Sequence, residues 1–188
     1  MTLEQLHKEL SYVNALRANR LKYAKIILDD LSLLPQLIAI MFVTDDKTSW
    51  KAAWVFEYVC SEYLYCIIPH LDEFTKNMHK VHFDSAVRPV AKVCEFLAKA
   101  NCSKEPNPIK SMLLPKHKEY IIETCFDWMI TNQKIAVKAY CMNTLYLFGK
   151  DNKWIHQELA QILEQDYTGQ SAGYKARAKH ILKKIKAK

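Results

Sequence analysis

The sequence predicts an all-α fold in a single domain, and three observations lead to these conclusions. Glycine, the residue that most easily forms tight turns with positive φ, occurs only 3 times in 188 residues. Apolar residues recur at helical spacing in one segment after another. A chain of 188 residues is expected to form one domain, and such a chain buries roughly 70% of the surface that its unfolded form exposes. The predicted domain therefore needs neither disulfides nor metals for stability.

The first 30 residues predict two helices that cap whatever follows them. Thr2 stands where a helix N-cap belongs, and Gln5 occupies the third position of a capping box. The next segment places five apolar residues on one face of a helix, at positions Leu21, Ala24, Ile27, Leu28 and Leu31. These two helices would cover the apolar edge that the next element leaves open.

A repeated unit of two helices fills the rest of the chain. In four segments an apolar residue is followed by a basic residue and then by a small or apolar helical stretch. The four basic residues are Lys51, Arg88, Lys138 and Lys175. Upstream of the first three, an apolar segment carries a proline, which a first helical turn tolerates. These prolines are Pro35, Pro69 and Pro115. Polar turns join the two helices of each unit, including the segment 167–173, and three of them supply candidate N-caps or turn residues, namely Asp45, Asp84 and Asn132.

This order of elements resembles the HEAT repeat family, within the broader armadillo-like group. The resemblance implies a right-handed α-α superhelix of about ten helices, in which each helix pair covers the apolar face of the next. It covers about 31–186 and is weakest in the last unit, whose first helix lacks the proline. We therefore predict a single domain with caps at 1–30, an insertion loop at 101–112, and repeats at 31–65, 66–100, 113–149 and 152–186.

The four basic residues of the repeat are expected to be structural. Each opens a second helix, close to the turn of its own unit. A long cationic side chain there can keep its stem on the core and its charged head on a turn carboxylate or carbonyl. The resemblance implies the same role, a ladder of basic residues that holds the turns within the repeats.

In a HEAT-like stack the second helices line the concave surface, where partners usually bind. Counting i, i+4, i+7 and i+11 from each basic residue predicts an exposed stripe along each second helix. The candidate partner-binding residues are Val55, Tyr58, Glu62, Lys92, Glu95, Lys99, Met142, Lys175 and Lys179. Leu145 falls on the same stripe. An error of one position in the helix phase would instead place the apolar members in the core, and both interpretations stay open.

The net charge of +7 comes entirely from the end of the chain. Residues 1–166 contain 20 basic and 20 acidic residues, whereas residues 167–188 contain seven basic residues and no acidic one. The basic helix is either the polar outer face that a terminal repeat needs for solubility or a surface that attracts an acidic partner. Nucleic-acid-binding proteins usually carry positive charge on a broad face, which this distribution does not favour.

No catalytic, cofactor or metal motif rises above background. His79, His82 and Asp84 have the residue types of metal ligands, but the pattern lacks a fourth ligand.

The HEAT-like alkylpurine DNA glycosylases resemble the chain in size and basicity, and their cleft requires an aspartate beside tryptophans. The one Asp–Trp neighbour pair, Asp127 and Trp128, lies on a first helix. All four tryptophans (Trp50, Trp54, Trp128 and Trp154) are expected in the core.

Together these patterns predict a non-catalytic scaffold that binds a protein or peptide, acidic in character, on its concave face, without a cofactor. A DNA-binding protein related to the glycosylases is the alternative. The six cysteines show no CxxC spacing and indicate buried thiols in a reducing cytoplasm. The longest apolar run, 33–43, is too short for the roughly 20 residues that a membrane span requires, so no membrane partner is expected.

Overall fold

The computed structural model describes residues 1–165 and 169–187, and helices dominate this part of the chain. The helices are α1 (Leu3–Leu10), α2 (Arg17–Asp29), α3 (Leu34–Met41), α4 (Lys47–Glu62), α5 (Leu71–Asn77), α6 (Asp84–Asn101), α7 (Ile109–Met112), α8 (Pro115–Ile130), α9 (Ile135–Phe148), α10 (Lys153–Gln165) and α11 (Ala172–Lys186). Short 3₁₀ segments occur at Leu31–Leu33, Leu64–His70 and Met78–Lys80. Lys188 and part of the predicted turn at 167–173 lie outside the described residues.

The chain divides into two compact units, Met1–Phe96 and Leu97–Lys188, and the boundary falls within α6. No strand occurs among the described residues, and the predicted all-α class is confirmed. The order of helix pairs follows the predicted order of repeats, with α1 and α2 in front of them. The repeat boundaries themselves stay a prediction.

In the first unit, the predicted apolar run becomes α3 and packs against α4. Leu37, Ile38 and Met41 are fully buried, and each such side chain contributes about 1.5–3 kcal/mol to folding. Pro35 lies in the first turn of α3, as predicted, where its missing N–H leaves no helical bond unmade. On its other sides α4 packs against α1 and α2.

The predicted capping box of α1 is confirmed in both directions. The backbone N–H of Gln5 donates to Thr2 Oγ1 at 3.2 Å, and the backbone N–H of Thr2 donates to Gln5 Oε1 at 2.9 Å. Of the two alternatives predicted for Asp45, N-cap or turn residue, the structure shows the turn residue. The N-cap of α4 is Asp46, whose carboxylate accepts a hydrogen bond from the backbone N–H of Thr48 at 2.6 Å.

One expectation about a proline needs correction. Pro69 lies inside the 3₁₀ segment Leu64–His70, and α5 begins only after it, at Leu71. Asn132 lies in the turn between α8 and α9, which is one of its two predicted roles, and the N-cap of α9 is Lys134. The insertion at 101–112 is not entirely a loop, because it ends in the single turn of α7, which buries Ile109.

In the second unit, α9 packs against α8, α10 and α11. One side of α11 is buried, with Tyr174, Ala178 and Ile181 all fully covered. Gly149 follows α9 and lies directly against the imidazole of His156, so that a Cβ at this position would overlap the ring. His156 Nε2 in turn lies 2.8 Å from the backbone carbonyl oxygen of Tyr146.

Candidate functional site

The structure separates the predicted partner-binding residues into a surface set and a core set. Glu62, Lys99 and Lys179 are exposed, and Tyr58, Lys92 and Lys175 are partly exposed. The other three were predicted at the surface and are buried instead: the exposed fraction is 0% for Val55, 0% for Met142 and 7% for Glu95. The surface set remains a candidate, and its role in binding stays a prediction.

The error has a physical cause in the helix phase. Successive residues of a helix point about 100° apart, so a stripe that is one position off exchanges surface for core. On α4 the partly exposed residue between Lys51 and Tyr58 is Trp54, one position before the predicted Val55. On α6 the partly exposed residue is Phe96, one position after the predicted Glu95.

On α9 the whole stripe was placed wrongly. Lys138, Met142 and Leu145 are all buried. The solvent-facing positions of this helix are instead Ile135, Ala136, Ala139, Tyr140, Asn143, Tyr146 and Leu147, all exposed or partly exposed.

The predicted ladder of basic residues exists in part, but it links different elements from those expected. Arg88 Nη2 donates to Glu57 Oε2 at 2.8 Å, so Arg88 reaches back to α4 rather than to the turn of its own repeat. Lys92, one helical turn later, donates to Glu57 Oε1 at 2.7 Å. Lys51 donates to the backbone carbonyl of Ser11, at the end of α1. These residues therefore tie α4 to its neighbours in the first unit.

Glu57 is the buried centre of this ladder, since its side chain is only 4% exposed. Burying a lone carboxylate costs several kcal/mol, and only close, well-oriented cations offset that cost. Two charge-assisted hydrogen bonds provide this compensation, one to each carboxylate oxygen. The arrangement fixes the guanidinium of Arg88 and the ammonium of Lys92 at the surface between α4 and α6.

Trp54 joins three helices through its indole ring. Residue 89 of α6 is a proline, so it has no N–H to donate to the carbonyl four residues earlier, that of Ser85. Trp54 Nε1 donates to this carbonyl oxygen instead, at 2.8 Å. The guanidinium of Arg20, on α2, lies 4.2 Å from the centroid of the Trp54 ring. The indole thereby fixes Arg20 beside the first turn of α6.

These contacts border a cavity of about 340 Å³ that is open to solvent in the first unit, lined by Arg20, Trp54, Asp84, Ser85 and Arg88. The lining residues carry two guanidinium groups, one carboxylate and one hydroxyl. Sequence reasoning missed this grouping because its members come from three helices. The one local signal was Pro89, whose position inside a helix predicts a carbonyl in need of another donor.

Around the cavity, aromatic and basic side chains of α2, α4 and α6 are partly exposed. We call this set the basic–aromatic face; its members are Arg20, Trp50, Lys51, Trp54, Tyr58, Arg88, Lys92 and Phe96. The Trp50 and Trp54 ring centroids are 4.5 Å apart, and Lys92 Nζ lies 5.5 Å from the centroid of the Phe96 ring. The face is local, because residues 1–96 as a whole contain 11 basic and 12 acidic residues.

The positive charge of the chain lies in the second unit, where residues 97–188 contain 16 basic and 8 acidic residues. On α11 the exposed bases include Arg177, Lys179, Lys183 and Lys184. Lys186 forms an exposed ion pair with Glu164 at 3.0 Å, which contributes little to stability. The apolar side of α11 is buried, so only its charged side is available to a partner.

The remaining tryptophans differ in their environments. Trp128 is buried in the core, as predicted. Trp154 was also predicted in the core but is 53% exposed, and its ring stacks on Phe126 with 5.9 Å between the centroids.

All six cysteines are thiols, and five of them are buried. Burial raises the pKa of the Cys60 thiol, while a hydrogen bond from Cys60 lowers the pKa of Cys66.

A search of the described residues finds no group of three or more histidine, cysteine, aspartate or glutamate side chains arranged to hold a metal ion. Within the same part of the chain, none of the helices has the length and apolar character needed to cross a membrane.

Comparison with known proteins identifies the family. The model of the HEAT repeat domain matches residues 7–185. No curated protein and no solved structure gives a significant match. Because the matched segment spans nearly the whole chain and the helix pairs occur in the order that the family requires, the protein belongs to the HEAT repeat family.

Proposed function

We propose that the protein is a non-catalytic interaction module that binds an acidic segment of a partner protein on the basic–aromatic face. HEAT repeat domains are typically protein-interaction scaffolds. The observation that carries the proposal is that α4 and α6 expose Trp54, Tyr58 and Phe96 in part, together with two cations, Arg88 and Lys92, that Glu57 holds in place. Aromatic residues and arginine are the residues most enriched in the energetically important centres of interfaces.

The charge distribution favours an acidic protein segment over a polyanion. Arg88 and Lys92 present two cations that share one buried carboxylate, so this part of the face has a modest local excess of positive charge. The unit as a whole is close to neutral and has no broad basic surface for a nucleic-acid backbone. The basic side of α11 would add long-range attraction for the same acidic partner and raise its association rate. The proposed setting is the cytoplasm, where the six thiols stay reduced.

Affinity capture with matched variants tests the proposal. Wild-type protein is compared with Tyr58→Ala/Phe96→Ala, which removes two aromatic side chains from the face. The control is Tyr65→Ala/Tyr120→Ala, two exposed tyrosines outside it. We expect the first variant to lose specific partners at least fivefold and the control to retain them, and the captured segments to be acidic. Identical recovery by all three proteins would refute the proposal.

One observation favours the DNA-related alternative and gives it a separate test. Trp54 and Asp84 line the same cavity, which is the tryptophan–aspartate combination that the sequence order did not reveal. If the chain acts on DNA, it should bind a short duplex at about 50 mM salt with a strong salt dependence. It should also release an alkylated purine from that duplex, and Asp84→Asn should abolish the release. Under the leading proposal neither binding nor release occurs.

A further inference from the structure

We propose that the cavity between α2, α4 and α6 is a pocket for a single carboxylate group, supplied by an aspartate or glutamate side chain of the partner. This inference rests on the proposed function, because it assigns the acidic group of the partner to one place on the basic–aromatic face. Arg20 and Arg88 hold that carboxylate group, and Asp84 limits the negative charge that a ligand of the pocket can carry.

The hydrogen-bonding capacity of the two arginines supports the assignment. A guanidinium presents five N–H donors in a planar fork that matches a carboxylate. Nη2 of Arg88 donates to Glu57, and Nη2 of Arg20 donates to the carbonyl of Ala15. Each arginine uses one terminal N–H in these bonds, whereas Arg20 Nε is buried without a hydrogen-bond partner. Both side chains are held in place, which reduces the entropy lost when a ligand binds.

The charge of the cavity lining selects a monoanion. Arg20, Arg88 and Asp84 line the cavity, and Arg88 is also paired with Glu57, which binds Lys92 as well. These three cations and two carboxylates together leave one positive charge in excess. A carboxylate brings one negative charge and neutralises this excess. A phosphate monoester brings nearly two negative charges and would meet repulsion from Asp84. The pocket therefore favours a carboxylate over a phosphate.

The surroundings of Trp54 argue against a nucleobase as the ligand. Base-binding sites use the open face of an aromatic ring as a stacking platform. Here Arg20 covers one face of the indole at 4.2 Å, and the Trp50 ring packs against it at 4.5 Å. The Nε1–H is also occupied, by the carbonyl of Ser85. Trp54 thus organises the pocket and reports on it, but offers little free surface for stacking.

Fluorine NMR of the full chain labelled with 5-fluorotryptophan tests the pocket directly. The four tryptophans give four resonances, and the Trp54 signal is assigned from Trp54→Phe. Trp128 and Trp154, in the second unit, serve as internal controls. Sodium acetate is titrated against sodium chloride at constant ionic strength. We expect the Trp54 resonance to move saturably with a midpoint of about millimolar, while Trp128 and Trp154 stay in place.

Two variants separate the pocket from a general salt effect. Arg20→Gln keeps the length of the side chain but loses the charge, and it should weaken acetate binding at least fivefold. Asp84→Asn should tighten acetate binding about two- to threefold, because it removes a like charge that repels acetate weakly through a water-like medium. A gain in affinity cannot result from misfolding, so this variant keeps the inference testable if Arg20→Gln proves unstable.

The inference is overturned if acetate leaves Trp54 unmoved, if Arg20→Gln binds acetate as wild type does, or if phosphate or duplex DNA binds the wild-type pocket more tightly than acetate. The proposed function fails by a different result, namely unchanged capture by Tyr58→Ala/Phe96→Ala. A deca-glutamate peptide connects the two experiments, because it should shift the Trp54 resonance at lower concentration than acetate and deca-glutamine should not. A glutamate peptide that binds without moving Trp54 also contradicts the pocket.

Discussion

Replacing Glu57 with glutamine tests whether the buried ladder stabilises the first unit. Glutamine has the same shape but no charge, so Arg88 and Lys92 lose the anion that they share at 2.8 and 2.7 Å. Breaking a buried ion pair typically costs about 3–5 kcal/mol. The two cationic side chains are 32% and 28% exposed, so they can turn toward water and recover part of this energy. We therefore expect a loss of about 2–3 kcal/mol.

The assay is urea unfolding at pH 7, followed by circular dichroism. In thermal unfolding, the same loss of about 2–3 kcal/mol would lower the Tm by about 4–12 °C for a chain of this length. The control is Glu62→Gln, an exposed position on the same helix, which should change stability by no more than about 0.5 kcal/mol. A loss below about 1 kcal/mol for Glu57→Gln would show that the ladder is no stronger than a surface ion pair, and the reasoning would fail.

Trp54→Phe should cost about 1–3 kcal/mol in the same assay, because the carbonyl of Ser85 loses its donor and Pro89 cannot replace it; a neutral result would mean that water takes over this bond. Gly149→Ala should destabilise by about 1–3 kcal/mol, since a methyl group overlaps the imidazole of His156, and unchanged stability would show that the ring moves aside readily. In the folded protein, the hydrogen bond from the backbone N–H of Thr48 holds the pKa of Asp46 below its ordinary value of 3.8. The Asp46 carboxylate therefore stabilises the fold fully above pH 3.8, and this stabilisation is lost as the pH falls through the lower pKa of the folded state. Asp46→Ala should thus cost about 1 kcal/mol at pH 7 and less at pH 3, whereas an equal loss at both would contradict the charge-based account.

The sequence predicts those features that depend on local chemistry. The capping box of α1 needs only Thr2 and Gln5, three residues apart, and it forms as expected. The apolar run at 33–43 is long enough for a core helix and too short for a membrane span, and it becomes α3.

Positions around the helix axis were harder to predict than the helices themselves. The stripe on each second helix was counted from its basic residue, on the assumption that every such residue faces outward. On α9 that assumption fails, because Lys138 is itself buried, and the stripe that begins there runs through the core. On α4 and α6 the basic residues are partly exposed, and the count is wrong at single positions, Val55 and Glu95.

The cavity depends on contacts between residues far apart in sequence, and a repeat pattern contains no information about them. Trp54 and Ser85 are separated by 31 positions, yet the bond between them follows from a rule that sequence analysis can apply. A proline inside a helix leaves one carbonyl without its helical donor, and an indole on the neighbouring second helix is a suitable replacement. In this chain Pro89 creates the need, Trp54 supplies the donor, and Arg20 is held on the indole as a consequence. The same proline that departs from regular helix geometry thus determines where the guanidinium groups of the proposed carboxylate pocket come together.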